Sequence, residues 1–255
     1  MDPKDIYKSS CLGTNALHYR TLEILSLMEN ELGKTKSEYN KISEKLKDAI
    51  NKFLWLDDKG YFGQYVYGRN YHYVSPKSEA LGEALSVLFD VADENRRKSI
   101  FEKMPIVEYG PTCIFPQIKD IPPYHNNAIW PFVVSYWTWA ASKAKNETAV
   151  QFGMDAVYRS ASLFTTNKEN MVADNGHFDG TEINSDRMLW SIAGNLAIVY
   201  RVMFGINLTE NGLSLSPFVP EKFGGEKELK DFKYRSSSLD IIIHGFGSKI
   251  SKALI

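Results

Sequence analysis

The sequence has few of the residues that mark a cross-linked or metal-dependent protein. Cys11 and Cys113 are its only cysteines in 255 residues and form no CxxC motif, which indicates neither a disulfide framework nor a zinc cluster. The five histidines lie far apart in the sequence and show no metal-ligand spacing. The sequence therefore predicts no metal site, and nothing in it indicates another cofactor.

Charge of one sign and long apolar runs are also missing. Thirty basic and thirty-one acidic residues give a net charge of −1, which disfavours a nucleic-acid partner. No apolar run approaches the roughly 20 residues that span a bilayer, so no membrane partner is predicted. The 44% hydrophobic content is instead typical of a globular protein with a sizeable core.

Apolar residues at helical spacing predict about seven helices, mostly in antiparallel pairs. Ser75 is predicted to be the N-cap of the third helix and Pro76 its first residue. Ranges that the pattern assigns to other helices are Asn15–Leu32, Thr35–Phe53, Asn127–Ala144, Glu147–Phe164 and Arg187–Phe204.

Long irregular segments separate the helical pairs, and a small β region ends the chain. Segments 55–74, 105–124 and 165–186 are rich in turn-forming or aromatic residues, and we expect them to meet over one mouth, the natural place for an active site. Residues 213–217 and 239–243 are typical of short strands. The sequence thus predicts a helical domain at 1–208 and β strands packing on it at 209–255.

Aromatic residues make up 13% of the chain, and many lie beside Gly, Pro, Asn or His in the irregular segments. Such rings either pack in the core or form platforms for the C–H faces of sugars.

Three segments resemble the six-hairpin glycosidases, which include glycogen debranching enzyme and the processing α-glucosidases (mannosyl-oligosaccharide glucosidases). Residues 124–132, YHNNAIWPF, are similar to the YHNGxxWP motif of these enzymes. Residues 187–194, RMLWSIAG, and the segment from Gly212 to Pro220 agree with it. The resemblance implies a mainly α protein, an (α/α)6 barrel of helical hairpins followed by β strands.

A complete barrel of this kind needs twelve helices, so we expect the barrel to be incomplete in this chain. Residues 5–15 resemble the stretch that follows the loop carrying the family's general acid. The resemblance therefore implies that the acid lies in a missing N-terminal portion, which would be the chain's protein partner, and that the chain alone is inactive.

Glycoside hydrolysis needs one carboxylic acid and one carboxylate, because the leaving oxygen is protonated while a nucleophile attacks the sugar. Residues 168–176 resemble the ENYxxxTG segment that carries the general base, which implies this role for Glu169. Met171 and Asn175 depart from that pattern. A solvated loop position is the alternative for Glu169, and Glu182 competes for the catalytic role.

The substrate-contact candidates lie in the irregular segments or near the starts of the helices that follow them, and several have a structural alternative. Asn126 could instead be the N-cap of the aromatic helix, Trp130 a core residue, and Glu79 a group that stabilises a helix N-terminus. The predicted contacts are Tyr124, His125, Asn126, Trp130, Gln64 and Trp190, with Glu79 as a further candidate.

The resemblance thus implies a glycoside hydrolase that inverts the anomeric centre of an α-glucoside or related oligosaccharide. The alternative is a non-catalytic carbohydrate-binding or assembly partner with half a barrel. A third class, the helical-barrel proteins for isoprenoids or lipids, would need acidic clusters such as DDxxD, and only Asp57-Asp58 comes near.

Overall fold

The computed structural model describes residues 8–34, 38–68 and 72–254. These residues contain seven α-helices and several small sheets, which confirms the prediction of a mainly helical protein. Thr35, where the second helix was predicted to begin, lies outside the described residues, as do residues 1–7. The helices are α1 (Leu12–Glu31), α2 (Glu38–Phe53), α3 (Ala80–Leu88), α4 (Glu94–Lys103), α5 (Pro131–Lys143), α6 (Glu147–Phe164) and α7 (Leu189–Ala197).

Eleven short strands are found in the described part of the chain, and their pairs are all antiparallel. The first seven lie between the helices: β1 (Ser10–Cys11), β2 (Trp55–Leu56), β3 (Tyr61–Phe62), β4 (Tyr65–Tyr67), β5 (Tyr73–Val74), β6 (Ala128–Ile129) and β7 (Met171–Val172). The last four follow α7: β8 (Ile206–Thr209), β9 (Gly212–Leu215), β10 (Lys227–Tyr234) and β11 (Ser237–Ile243).

Four helices pack side by side in chain order. Helix α1 packs on α3, α3 packs on α5, and α5 packs on α7, while α2 packs on α1 and α6 on α5. Apolar side chains such as Phe62, Ile100 and Trp137 are buried in one large core between these layers. None of the described helices combines the length and the apolar character that crossing a bilayer requires.

Helix α3 begins at Ala80, later than the predicted start at Ser75 and Pro76. The backbone of the preceding residues is extended and paired with other segments. Ser75 donates its N–H to the carbonyl of Tyr65, and Ser78 exchanges two backbone hydrogen bonds with Phe115. These long-range partners keep the residues before Ala80 out of the helix.

Helix α5 begins at Pro131, four residues after the predicted start at Asn127. The two residues Ala128 and Ile129 form β6, which pairs with β7, and Trp130 precedes the first helical residue. Proline is favoured at the first helical position because its missing N–H would have no partner there. Asn126 is therefore not the N-cap of this helix.

A second, smaller core lies at the C-terminal end of the described chain. Helix α7 continues as a π-helical segment, Ile198–Met203, and two hairpins follow it, β8 with β9 and β10 with β11. Phe204, Ile206 and Ile241 are buried in this second core. Leu213 and Leu239 pack against it, and both lie on the strands that the sequence predicts.

Candidate active site

A two-stranded ladder joins the two segments that carry the predicted site residues. Ala128 pairs with Val172 and Ile129 with Met171, both antiparallel and all four residues buried. Tyr124 precedes β6 by four residues, and Glu169 precedes β7 by two. The ladder thus fixes the 124–126 segment against the 169–172 segment, which is about 45 residues further along the chain.

The hydroxyl of Tyr124 donates a hydrogen bond to Oε1 of Glu169 at 2.9 Å. This bond to the carboxylate raises the pKa of Tyr124, because the phenol must give up the proton it shares. The Glu169 side chain is only 3% exposed. Glu169 is therefore a buried carboxylate held by a phenol, in contrast to the solvated loop alternative.

The backbone around Glu169 is fixed by the loop that precedes α7. Glu169 donates its N–H to the carbonyl of Ser185 at 3.0 Å. The amide nitrogen of Asn184 donates to the carbonyl of the fully buried Asn170 at 2.7 Å. Because residues 169–170 and 184–185 are joined by several hydrogen bonds, the backbone at Glu169 has a defined position before any ligand binds.

Asn126 is buried, and its side chain bonds to the proline-rich segment before it. Its Oδ1 accepts from the N–H of Ile118 at 2.6 Å, and its Nδ2 donates to the carbonyls of Ile118 and Ile121 at 3.1 and 2.8 Å. Both amide protons and the carbonyl oxygen are therefore already engaged with backbone groups. Asn126 holds the loop that carries Tyr124 and His125.

Aromatic side chains from three segments contact one another next to the Tyr124–Glu169 pair. Trp130 donates its Nε1–H to the carbonyl of Tyr124 at 2.7 Å, and the two rings pack edge to face at 5.2 Å. His125 stacks on Trp130 at 5.1 Å, and Trp190 stacks on Phe132 at 5.4 Å. Trp130 and Trp190 also touch, at 5.9 Å between centroids, so α5 and α7 share one aromatic wall.

This wall borders a cavity of about 480 Å³, within the range of about 300–1,000 Å³ that is usual for small-molecule sites. Four predicted contacts line it together, namely Gln64, His125, Trp130 and Trp190. The other lining residues are Tyr65, Glu79, Leu81, Cys113, Ile114, Phe132 and Val133.

Other predicted residues lie outside this lining. Tyr124 and Glu169 are joined to the wall through Trp130, and Asn126 faces the backbone of its own loop. Glu182, the competing catalytic candidate, has an exposed side chain, and its N–H donates to the carbonyl of Pro123 at 2.9 Å. The structure brings Glu169, and not Glu182, into side-chain contact with Tyr124.

Tyr65, Cys113 and Phe132 line the cavity, although the sequence did not indicate them. Burial raises the pKa of the Cys113 thiol, and burial with the nearby Cys11 and Glu79 raises the pKa of Tyr65 to about 12. Both groups are thus neutral near pH 7. Phe132 could have been found from its position two residues after Trp130.

Glu79 is the acidic group of the lining. Burial raises its pKa from 4.5 to about 7, while the backbone amides of Gly82 and Gly13 act in the opposite direction. Glu83, one turn further along α3, is completely buried, and burial raises its pKa well above the usual range. The described residues contain no group of three or more His, Cys, Asp or Glu side chains arranged to hold a metal ion.

Comparison with solved structures identifies the architecture around this cavity. The GH63 mannosylglycerate hydrolase from Thermus thermophilus superposes with a TM-score of 0.60 and 16% identity, over 78% of this chain and 48% of that one. The neutral trehalase from Saccharomyces cerevisiae superposes with a TM-score of 0.57 and 11% identity, over 74% of this chain and 37% of that one. The described part of the chain therefore shares its fold with part of each of these two hydrolases.

The likeness extends to part of these proteins only. An uncharacterized conserved protein, also from Thermus thermophilus, gives a TM-score of 0.56 and 12% identity, over 75% of this chain and 47% of that one. The chain thus spans less than half the length of the solved structures it matches. No protein-family model and no curated protein sequence matches it.

Proposed function

We propose that the chain forms the water-activating half of the active site of an inverting glycoside hydrolase. In this proposal Glu169 is the general base and the substrate is an α-glucoside or a related oligosaccharide. The observation that carries the proposal is the buried Glu169 carboxylate, bonded to Tyr124 beside an aromatic cavity. The fold supports it, since solved structures with this fold include a trehalase and a mannosylglycerate hydrolase.

The Tyr124–Glu169 pair provides the base function, and the reaction needs a second carboxyl group as its acid. A general base removes a proton from water as the water attacks the anomeric carbon, and an acid on the other side protonates the leaving oxygen. The bond from Tyr124 orients the Glu169 carboxylate and leaves its second oxygen, Oε2, available to accept from water. We assign the acid to a further helical portion, the chain's partner in this proposal.

The two ends of the helical layer support such a partner. On α1, Ile24 and Met28 are exposed, and on α7 Leu189 and Leu196 are exposed. Exposed apolar faces of this kind mark surfaces that contact other protein. Further helical hairpins that cover both faces would extend the layer and add the missing carboxylic acid.

The test is hydrolysis by protein expressed from its complete reading frame. Maltotriose, trehalose and mannosylglycerate are each incubated with wild-type protein, Glu169→Gln and the matched control Glu182→Gln. We expect Glu169→Gln to lower turnover by roughly 10²–10⁴-fold, because a general base contributes about that much. Glu182→Gln, at an exposed position, keeps wild-type turnover.

Two results would contradict the proposal. One is wild-type turnover by Glu169→Gln, which excludes this residue as the base. The other is a wild-type protein that hydrolyses none of the three substrates. Proton NMR of the first product formed shows whether the anomeric configuration is inverted, and a retained configuration would contradict that part of the mechanism.

A further inference from the structure

Gln64 is a buried residue at the wall of the cavity, and its side-chain amide has no hydrogen-bond partner among the described residues. It is 7% exposed and lines the cavity. Its backbone is fixed, because its N–H donates to Lys77 and its carbonyl accepts from Leu12. Its side-chain amide makes no hydrogen bond with any described residue. An amide that faces the cavity without a partner keeps its donors and acceptor available for a ligand's hydroxyl groups.

Glu79 is the second polar group of this part of the cavity, and it is held between two helix N-termini. It immediately precedes α3, and its carboxyl lies against Gly13 of α1 and Gly82 of α3. A Cβ on Gly82 would lie 2.7 Å from Oε2 of Glu79, and one on Gly13 would lie 3.5 Å from Oε1. The absence of side chains at both glycines leaves the space that the carboxyl occupies.

The charge of Glu79 is not neutralised by a cation within the described part of the chain. The groups that face it are the thiol of Cys11, at 3.9 Å from Oε2, and the side chains of Tyr65, Glu83 and Cys113. Its carboxyl is stabilised by the two helix N-termini and lines the cavity, where its remaining lone pairs can accept hydrogen bonds.

The chemistry of the cavity favours a neutral polyol. Trp190, which is about half exposed, provides apolar surface beside the buried Trp130, while Gln64 provides two donors and an acceptor and Glu79 provides acceptors. An anionic ligand would be repelled by the carboxylate. A sugar ring has an apolar C–H face and a rim of hydroxyl groups, and each of these features matches one part of the lining.

We propose that Gln64 and Glu79 bind the hydroxyl groups of one sugar residue whose ring lies on the aromatic wall, and thereby select the sugar. This inference depends on the proposed function for the class of ligand, although not on the role of Glu169. The residues that select the sugar therefore lie immediately before α3 (Glu79) and in the loop after β3 (Gln64). The water-activating group is a separate part of the site, on the loop before β7.

The test is the affinity of the 255-residue protein for methyl α-glucoside and for its monodeoxy analogues, measured by calorimetry. The variants are Gln64→Leu, which removes the amide, and Glu79→Gln, which removes the charge. Glu102→Gln, at an exposed glutamate of α4, is the matched control. Gln64→Asn, which withdraws the amide by one methylene, replaces Gln64→Leu if circular dichroism shows that the latter is unfolded.

We expect Gln64→Leu and Glu79→Gln each to weaken binding of methyl α-glucoside by about 10-fold or more, as for loss of a hydrogen bond to a buried group. Wild-type protein should also bind at least one monodeoxy analogue more weakly than methyl α-glucoside. The variant that has lost the side chain bonded to the missing hydroxyl should bind the analogue and methyl α-glucoside equally. If the substituted residue had only a structural role, its substitution would weaken binding of the parent sugar and of every analogue equally.

Unchanged affinity in both variants, or an equal loss for all analogues, would overturn the inference. A wild-type protein that binds none of the sugars would overturn it together with the carbohydrate class in the proposed function. If Glu169→Gln kept full turnover while the Gln64 and Glu79 variants lost affinity as expected, the assigned base would be wrong and this inference would stand.

Discussion

Helices α5 and α1 are both rich in apolar residues, yet they bury them very differently. Helix α5 lies between α3 and α7 and also packs on α6, and Val133, Val134 and Trp137 are buried. Helix α1 packs on α2 and α3, and it exposes Ile24 and Met28. The difference shows that the helical layer is complete around α5, whereas the described residues leave an apolar face of α1 uncovered.

The largest effect that this comparison predicts is at Trp137 in the middle of α5. Its side chain is 2% exposed, and it packs edge to face on Phe101 and Phe152. We expect Trp137→Ala to lower the free energy of unfolding by about 3–5 kcal/mol, because it removes buried apolar area and leaves a cavity. Urea denaturation followed by circular dichroism measures this loss.

The control for Trp137 is its neighbour on the same helix. Tyr136 is 39% exposed, so Tyr136→Ala should cost less than about 1 kcal/mol. Equal losses at the two positions would contradict the view that α5 is covered on one side by the core.

The second effect is a dependence of folding stability on pH, and it arises from two carboxyls at the start of α3, those of Glu79 and Glu83. The pKa of Glu79 is raised from 4.5 to about 7, and that of Glu83 is raised as well. Below pH 4.5 both carboxyls are protonated in the folded and the unfolded chain. As the pH rises, the unfolded chain loses these protons first, so folding stability falls between about pH 4.5 and 7.

The free energy of unfolding at pH 5 and pH 7.5 checks this sign. We expect the protein to be less stable at pH 7.5, by up to ~2 kcal/mol from Glu79 alone. Glu79→Gln cannot ionise and should reduce the difference, whereas the exposed control Glu102→Gln should leave it unchanged. A protein that became more stable from pH 5 to pH 7.5, equally in wild type and Glu79→Gln, would contradict the raised pKa.

The helices were predictable because their apolar spacing is a local property, but their starts depended on distant partners. Ala128 and Ile129 fall within the predicted helix, and they form a strand instead because they pair with Val172 and Met171. Likewise Ser75-Pro76 has the form of a helix start, and Ser78 pairs with Phe115 instead. A periodic pattern does not reveal which residues will find a backbone partner far along the chain.

The sequence predicted which residues line the candidate site better than it predicted the contacts between them. The sequence indicated Gln64, His125, Trp130 and Trp190, and the structure gathers all four around one cavity. The bond between Tyr124 and Glu169 joins residues 45 positions apart. The unpartnered state of Gln64 and the position of Glu79 between two glycines depend on packing, so the sequence alone did not reveal them.

The smallest expected effect on stability is at the exposed apolar face of α1, and it tests the contrast between α1 and α5 most directly. Ile24 and Met28 lie one turn apart, and their exposed fractions are 43% and 57%. We expect the double substitution Ile24→Ser, Met28→Ser to change the free energy of unfolding by less than about 1 kcal/mol, because each exposed position contributes within about 0.5 kcal/mol. A large loss of stability would show that this face is already covered within the chain, and the contrast between α1 and α5 would then be wrong.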